Sequence, residues 1–265
     1  DPVYFMKKYC YFQHPQRGRI QFSLYKFQEK VLTLFEENPY SIVLKSRQLG
    51  LSTLSAGYAL WLMIFQENKN VLALATTQAT ARNLPSWLKV ESVENNKLSL
   101  RLKNGSKIQA KSSNSDAARS EAVSLLIIDE AAFIDNIKET WGSAQQTLAT
   151  GGGAIILSTP YGTGNWFHQM WESAEGGLDD GNDFLPIKLP WYVHPERDQE
   201  WRDRQDVLLG DPRLAAQECD CDFSTSGDVV FYNEFVEFYK QTYVSEPLEK
   251  RGADRNLWIW EPADY

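Results

Sequence analysis

The sequence predicts an α/β fold: a parallel central sheet flanked by helices, with a small C-terminal lid subdomain. Short continuous apolar runs at Tyr40–Leu44, Val71–Ala75, Val123–Ile128 and Ala154–Ser158 read as strands buried on both faces. Segments of helical periodicity alternate with them, as crossover connections between parallel strands require. A glycine-bearing turn, Lys45 to Thr53, joins the first run directly to a helix.

The elements follow in order. Asp1 to Ile20 mixes aromatics, Pro15 and Gly18 without period and reads as an irregular lead-in. Leu24, Phe27, Val31, Leu34 and Phe35 recur at helical spacing behind Ser23, an expected N-cap, and Asn38-Pro39 ends that helix. A second helix is expected over Ser52–Gln66. Thr77–Leu84 starts a third that is shorter than a parallel crossover needs, and a segment is expected to be missing between Leu84 and Pro85. Leu98–Leu102 and Lys107–Ala110 around Asn104-Gly105 predict a hairpin. Ser112–Glu121 reads as loop, Glu139–Ala149 as helix, Phe184–Leu189 as a last strand, and Arg197–Leu209 and Pro212–Glu218 as helical pieces. The expected division is 1–190 for the core and 191–265 for a lid and the start of a linker.

Composition narrows the function. The 265 residues carry a net charge of −8, with 43% hydrophobic residues, a pI near 5.0 and a mean hydropathy of −0.43. The most apolar stretch, Ala56–Phe65, is too short to span a bilayer. Three cysteines, Cys10, Cys219 and Cys221, are too few and odd in number for a disulfide framework, which fits a reducing compartment. Cys219-Asp220-Cys221 lacks the second pair that a zinc site needs. The acidic balance argues against a main DNA-gripping surface while allowing a transient contact. The late tryptophans, Trp166 to Trp260, read as packing residues.

Lys45-Ser46-Arg47-Gln48-Leu49-Gly50-Leu51-Ser52-Thr53 resembles a phosphate-gripping loop, where backbone N–H groups at a helix start face an anion. Gly50 allows close approach, and Ser52 stands where a magnesium-binding hydroxyl belongs. The usual lysine position is Leu51, so Lys45 at the strand end and Arg47 are the available cations. Leu125–Ile128 delivers Asp129 and Glu130 to the C-terminal edge of a buried strand. Asp129 is placed to hold Mg2+, and Glu130 to deprotonate an attacking water. Ser158-Thr159-Pro160 ends the next strand at the same edge, a position suited to sensing a γ-phosphate. Together these features specify a phosphate-loop NTPase of the additional-strand catalytic-glutamate type.

Phe27-Gln28, Lys45–Ser52, Ile128–Phe133 and Ser158–Gly162 together resemble the large terminase subunit of tailed bacteriophages, contractile-tailed branch, over about Gln21 to Phe223. The resemblance implies the N-terminal ATPase domain of a motor that threads double-stranded DNA into a procapsid. It implies ATP and Mg2+ as cofactors, Gln28 at the adenine edge, Arg47 acting in cis and Arg119 in trans across a ring interface. Ser158, Thr159 and Pro160 would be the coupling motif. Implied partners are DNA, held weakly and transiently by this domain, the portal protein and the small terminase subunit. A ring homo-oligomer on the procapsid, a monomer in isolation and the cytoplasm of an infected bacterium complete the expectation. Nuclease carboxylates are not assigned to Asp203, Asp206, Asp211 or Asp220. A helicase-like DNA-dependent ATPase and a degenerate nucleotide-binding assembly module remain open at this point.

Overall fold

The computed structural model describes residues 1–14, 18–75, 92–95, 98–112, 122–149, 151–177, 181–224, 238–239, 242–243, 245, 247–251 and 257–260. The expectations for Thr77–Leu84, the Leu84–Pro85 junction, Arg119 and most of the Ser112–Glu121 loop lie outside these residues. The chain divides into two compact units, Asp1–Gly227 and Asp228–Tyr265.

The lead-in is helical rather than irregular: α1 spans Pro2–Tyr9. Asp1 Oδ1 accepts from the N–H groups of Val3 and Tyr4, and Pro2 occupies the first turn, where its missing N–H costs nothing. An antiparallel pair follows, β1 (Tyr11–His14) with β2 (Gly18–Gln21). The next helix, α2 (Lys26–Glu37), starts later than Ser23 would dictate. Its N-cap is Tyr25, whose N–H donates to Gln28 Oε1 at 3.0 Å, the reciprocal half of a capping box.

Next come β3 (Tyr40–Lys45), α3 (Leu51–Phe65) and β4 (Asn70–Ala75), close to the expected bounds. A strand without a legible pattern, β5 (Ser92–Asn95), precedes the predicted hairpin of β6 (Ser99–Leu102) and β7 (Lys107–Ser112), with Gly105 at φ +84 in its turn. The carboxylate strand β8 (Leu125–Asp129), α4 (Ile137–Leu148) and β9 (Gly153–Ser158) follow. A helix not anticipated, α5 (Trp166–Glu175), is capped by Asn165, whose Oδ1 accepts from His168 N at 3.1 Å. Beyond it lie β10 (Leu185–Leu189), α6 (Gln199–Leu209) and α7 (Pro212–Ala215), the last continued by a π-helical turn over Ala216–Asp220.

Eight strands form one sheet in the order β10-β3-β9-β8-β4-β7-β6-β5. Strands β10 to β7 are parallel, and β6 and β5 add an antiparallel edge. Alternate strand residues face two cores. Val43, Leu125, Ile127, Ile155 and Leu157 pack with α1, α2 and α3, while Ile42, Leu44, Leu126, Ile128 and Ile156 pack with α4 and α5. Burial on both faces explains the unbroken apolar runs. Among the described residues no helix is long and apolar enough to cross a membrane.

In the second unit, β11 (Glu249–Arg251) pairs antiparallel with β12 (Leu257–Ile259). The Trp260 indole N–H donates to the Ser245 carbonyl at 2.7 Å.

Candidate functional site

The sheet order brings the predicted residues together. Strand β9 lies between β3 and β8, and register pairs Leu44 with Ser158 and Leu157 with Asp129. Neighbouring strands are about 4.8 Å apart, so three sheet ends fall within roughly 10 Å. Lys45, Asp129 and Ser158 end those strands at one edge, the one that binds ligands in open α/β sheets.

Lys45 ends β3 beside the loop and points to the carboxylate that follows β8. Its side chain is 6% exposed, and Nζ donates to Glu130 Oε1 at 2.8 Å. Leu51 is 2% exposed within the α1–α3 core, so that position serves packing. Glu130 is 31% exposed and has φ +54, an uncommon conformation for a non-glycine residue. Backbone strain of this kind concentrates at functional sites.

Asp129 is buried, and its Oδ1 accepts from Glu130 N at 3.0 Å. Burial pushes its carboxyl above the ordinary range. The Lys45 ammonium opposes that, the Glu130 charge adds to it, and a hydrogen bond from Ser52 also opposes it. The same interaction joins the loop hydroxyl to the strand carboxylate. A hydroxyl and a carboxylate are the hard oxygen donors that magnesium takes, so Ser52 and Asp129 fit that ion.

The loop is stiffened from several sides. Gly50 has φ +74, and a Cβ there would lie 3.0 Å from Gln28 Nε2. Gln28 is buried, and its Nε2 donates to the Leu49 carbonyl at 2.9 Å. Gln28 thus braces the loop, a role that reading an adenine edge does not by itself predict. Gln48 adopts φ +57. The N–H groups of Ser46 and Arg47 donate to the Leu189 and Glu218 carbonyls. Among the described residues, the N–H groups from Gln48 to Thr53 have no backbone acceptor, as an anion cradle requires.

Arg47 is largely exposed, and its Nε pairs with Glu218 Oε2 at 2.9 Å. Burial pushes the Glu218 carboxyl up; Arg47 counteracts this, Glu130 reinforces it, and a Gln217 hydrogen bond and Lys45 also counteract it. Sequence reasoning missed Glu218, as well as Arg197, which contacts Ser46 Oγ and the Arg47 and Gln48 carbonyls. Neither sits in a recognisable motif.

Ser158 is fully buried, and its Oγ accepts from Ala132 N at 3.1 Å. It therefore holds the turn immediately after Glu130. Thr159 is also buried, and Tyr161 packs on Phe133 with centroids 4.7 Å apart.

A strand–loop–helix with aligned free amides, and an Asp–Glu pair across one inserted strand, define the phosphate-loop NTPase class. The family is narrower than the class. Residues 42–238 match the family described as terminase large subunit, T4-like virus type, N-terminal, and the chain belongs to it. Solved structures agree on the fold. The large terminase ATPase domain of Thermus phage P74-26 superposes with a TM-score of 0.60 at 22% identity, covering 76% of this chain and 94% of that one. The large terminase of another thermophilic bacteriophage, in complex with ADP, gives 0.61 at 15% identity, covering 76% of this chain and 54% of that one. The bacteriophage HK97 large terminase gives 0.58 at 17% identity, covering 91% and 53%. The chain thus spans about half the length of these last two proteins.

Proposed function

We propose that this chain binds and hydrolyses ATP, and that hydrolysis drives double-stranded DNA into a procapsid. The observation that carries the reading is the 2.8 Å contact of Lys45 with Glu130 beside Asp129 and Ser52, at the mouth of the amide cradle.

The N–H groups from Gln48 to Thr53 bind the phosphates, and Gln28, under Gly50, is the candidate for the adenine edge. The Lys45 ammonium adds the point charge that Leu51 cannot. Ser52 and Asp129 would hold Mg2+, which supplies neutralisation of phosphate charge when bound. Lys45 cannot serve Glu130 and a γ-phosphate equally. As Lys45 turns to phosphate, Glu130 is released to orient a water and accept its proton. The water oxygen bonds to the γ-phosphorus, the bond from that phosphorus to the bridging oxygen breaks, and ADP leaves with the electron pair. Arg47 acts on the transferred phosphoryl group in cis once it leaves Glu218, and Arg119 acts in trans in a ring. Ser158, Thr159 and Pro160 couple the chemistry to motion, since Ser158 already grips the turn after Glu130. Residues 191–265 include the lid, and it meets the loop through Arg197 and the π-helical turn.

DNA, the portal protein and the small terminase subunit are the partners in this reading, in the cytoplasm of an infected bacterium. With a net charge of −8, the chain alone binds DNA weakly and with strong salt dependence.

The test is phosphate release by wild type and Glu130→Gln, with and without DNA, alongside calorimetric ATP binding. Wild-type turnover is expected, with Glu130→Gln binding ATP but turning over about 100-fold or more slowly. A wild type that binds ATP yet never hydrolyses it, even with DNA and portal, makes the chain an assembly module instead.

A further inference from the structure

Arg197 follows β10 by a few residues and reaches back to the loop between β3 and α3. Its Nη1 donates to Ser46 Oγ at 3.2 Å, and its Nη2 to the carbonyls of Arg47 at 3.0 Å and Gln48 at 3.3 Å. The guanidinium lies over the Trp201 ring, with Cζ 4.3 Å from the centroid. The ring fixes the plane of the fork, and the fork fixes the loop.

A trans peptide unit points its carbonyl and the following N–H in opposite directions. The Arg47 and Gln48 carbonyls face Arg197, so the N–H groups of Gln48 and Leu49 face away from it. These are the first amides of the unpaired run that ends at Thr53. Gln28 orients the next unit in the same way through the Leu49 carbonyl. Gln48, at φ +57, would relax to a commoner conformation if its neighbours were not held.

We infer that Arg197 is a positioning residue for the triphosphate: braced on Trp201, it aims the Gln48 and Leu49 amides into the phosphate cradle from behind. The inference rests on the reading of this loop as an ATP site. Lysine does not replace it, because one ammonium on a flexible stem lacks the rigid two-armed fork that meets these three acceptors.

The test compares wild type, Arg197→Ala, Arg197→Lys and Trp201→Ala in the whole chain. Calorimetry with ATP gives Kd, steady-state phosphate release gives KM and kcat, and circular dichroism gives Tm. Arg197→Ala is expected to raise Kd and KM about tenfold or more, the size of a lost charged hydrogen-bond set, with kcat reduced less than about threefold. Arg197→Lys is expected to recover only a minor part of the loss, and Trp201→Ala to shift Kd in the same direction by a smaller factor. A wild-type Kd in Arg197→Ala overturns the inference, as does full recovery by lysine. If Arg197→Ala does not fold, an unchanged Kd in both Arg197→Lys and Trp201→Ala overturns it. A wild type that binds no ATP overturns the ATP-site reading itself, which is a distinguishable result.

Discussion

The Lys45 ammonium and the Glu130 carboxylate meet at 2.8 Å across the strand that separates their own strands. On the proposed reading, phosphate draws the cation away from this pair and leaves the anion to a water. Lys45→Ala is therefore expected to weaken ATP binding roughly tenfold to a hundredfold, the range of a charged hydrogen bond. Lys45→Arg should not restore it, because a planar fork does not fit a site shaped for a point charge. Calorimetric Kd values for the two variants check both statements.

On the proposed reading, Glu218 competes with phosphate for Arg47. Its carboxyl is buried beside the loop and pairs with Arg47 at 2.9 Å. Glu218→Gln is expected to lower the Kd for ATP by about threefold at low salt, with the gain shrinking as ionic strength rises. An ATP titration at two salt concentrations measures it, and a weaker Kd in the variant contradicts the competition.

Gly50 is required for two separate reasons. Its φ of +74 disfavours any side chain, and a Cβ would press on Gln28 Nε2 at 3.0 Å. Gly50→Ala is expected to destabilise the chain by about 1–2 kcal/mol through the left-handed conformation. Displacing the Gln28 brace should also weaken ATP binding. Because the two residues touch, Gly50→Ala and Gln28→Ala should combine non-additively. Denaturant melts and ATP titrations of the single and double variants report both effects.

The cysteines should be inert in the folded chain. Burial pushes the Cys10 and Cys219 thiols up to about 11 and the Cys221 thiol up to about 12. At pH 8 a thiol reagent is expected to label none of them until denaturant is added. Above pH 9 the unfolded thiols ionise before the folded ones. The unfolded state then binds fewer protons, and stability falls as pH rises from 9 toward 11–12. Labelling counted by mass and melts from pH 8 to 11 check the two halves.

Much of this site was legible because its signals are local. Apolar runs buried on both faces mark β3, β8 and β9, and Gly50 marks the loop. Two helices were missed although the chain carries their caps: Asp1-Pro2 before α1, and Asn165 before Trp166, Phe167, Met170 and Trp171. Strand β5 has too few apolar residues to show alternation. What holds the loop was illegible for a different reason. Glu218 and Arg197 reach Ser46 from 172 and 151 residues away, by contacts that only the folded chain creates. The hydrogen bond by which the Gln28 amide braces the Leu49 carbonyl was likewise invisible in the sequence.

The proposed chemistry depends on Lys45 standing in for the lysine that the loop lacks at Leu51. The most direct measurement is a crystal structure of this chain with a non-hydrolysable ATP analogue and Mg2+. Lys45 Nζ is expected on the β- or γ-phosphate, with Glu130 facing a water in line with the γ-phosphorus. A bound triphosphate with the Lys45–Glu130 contact intact and another cation on the phosphates would contradict it.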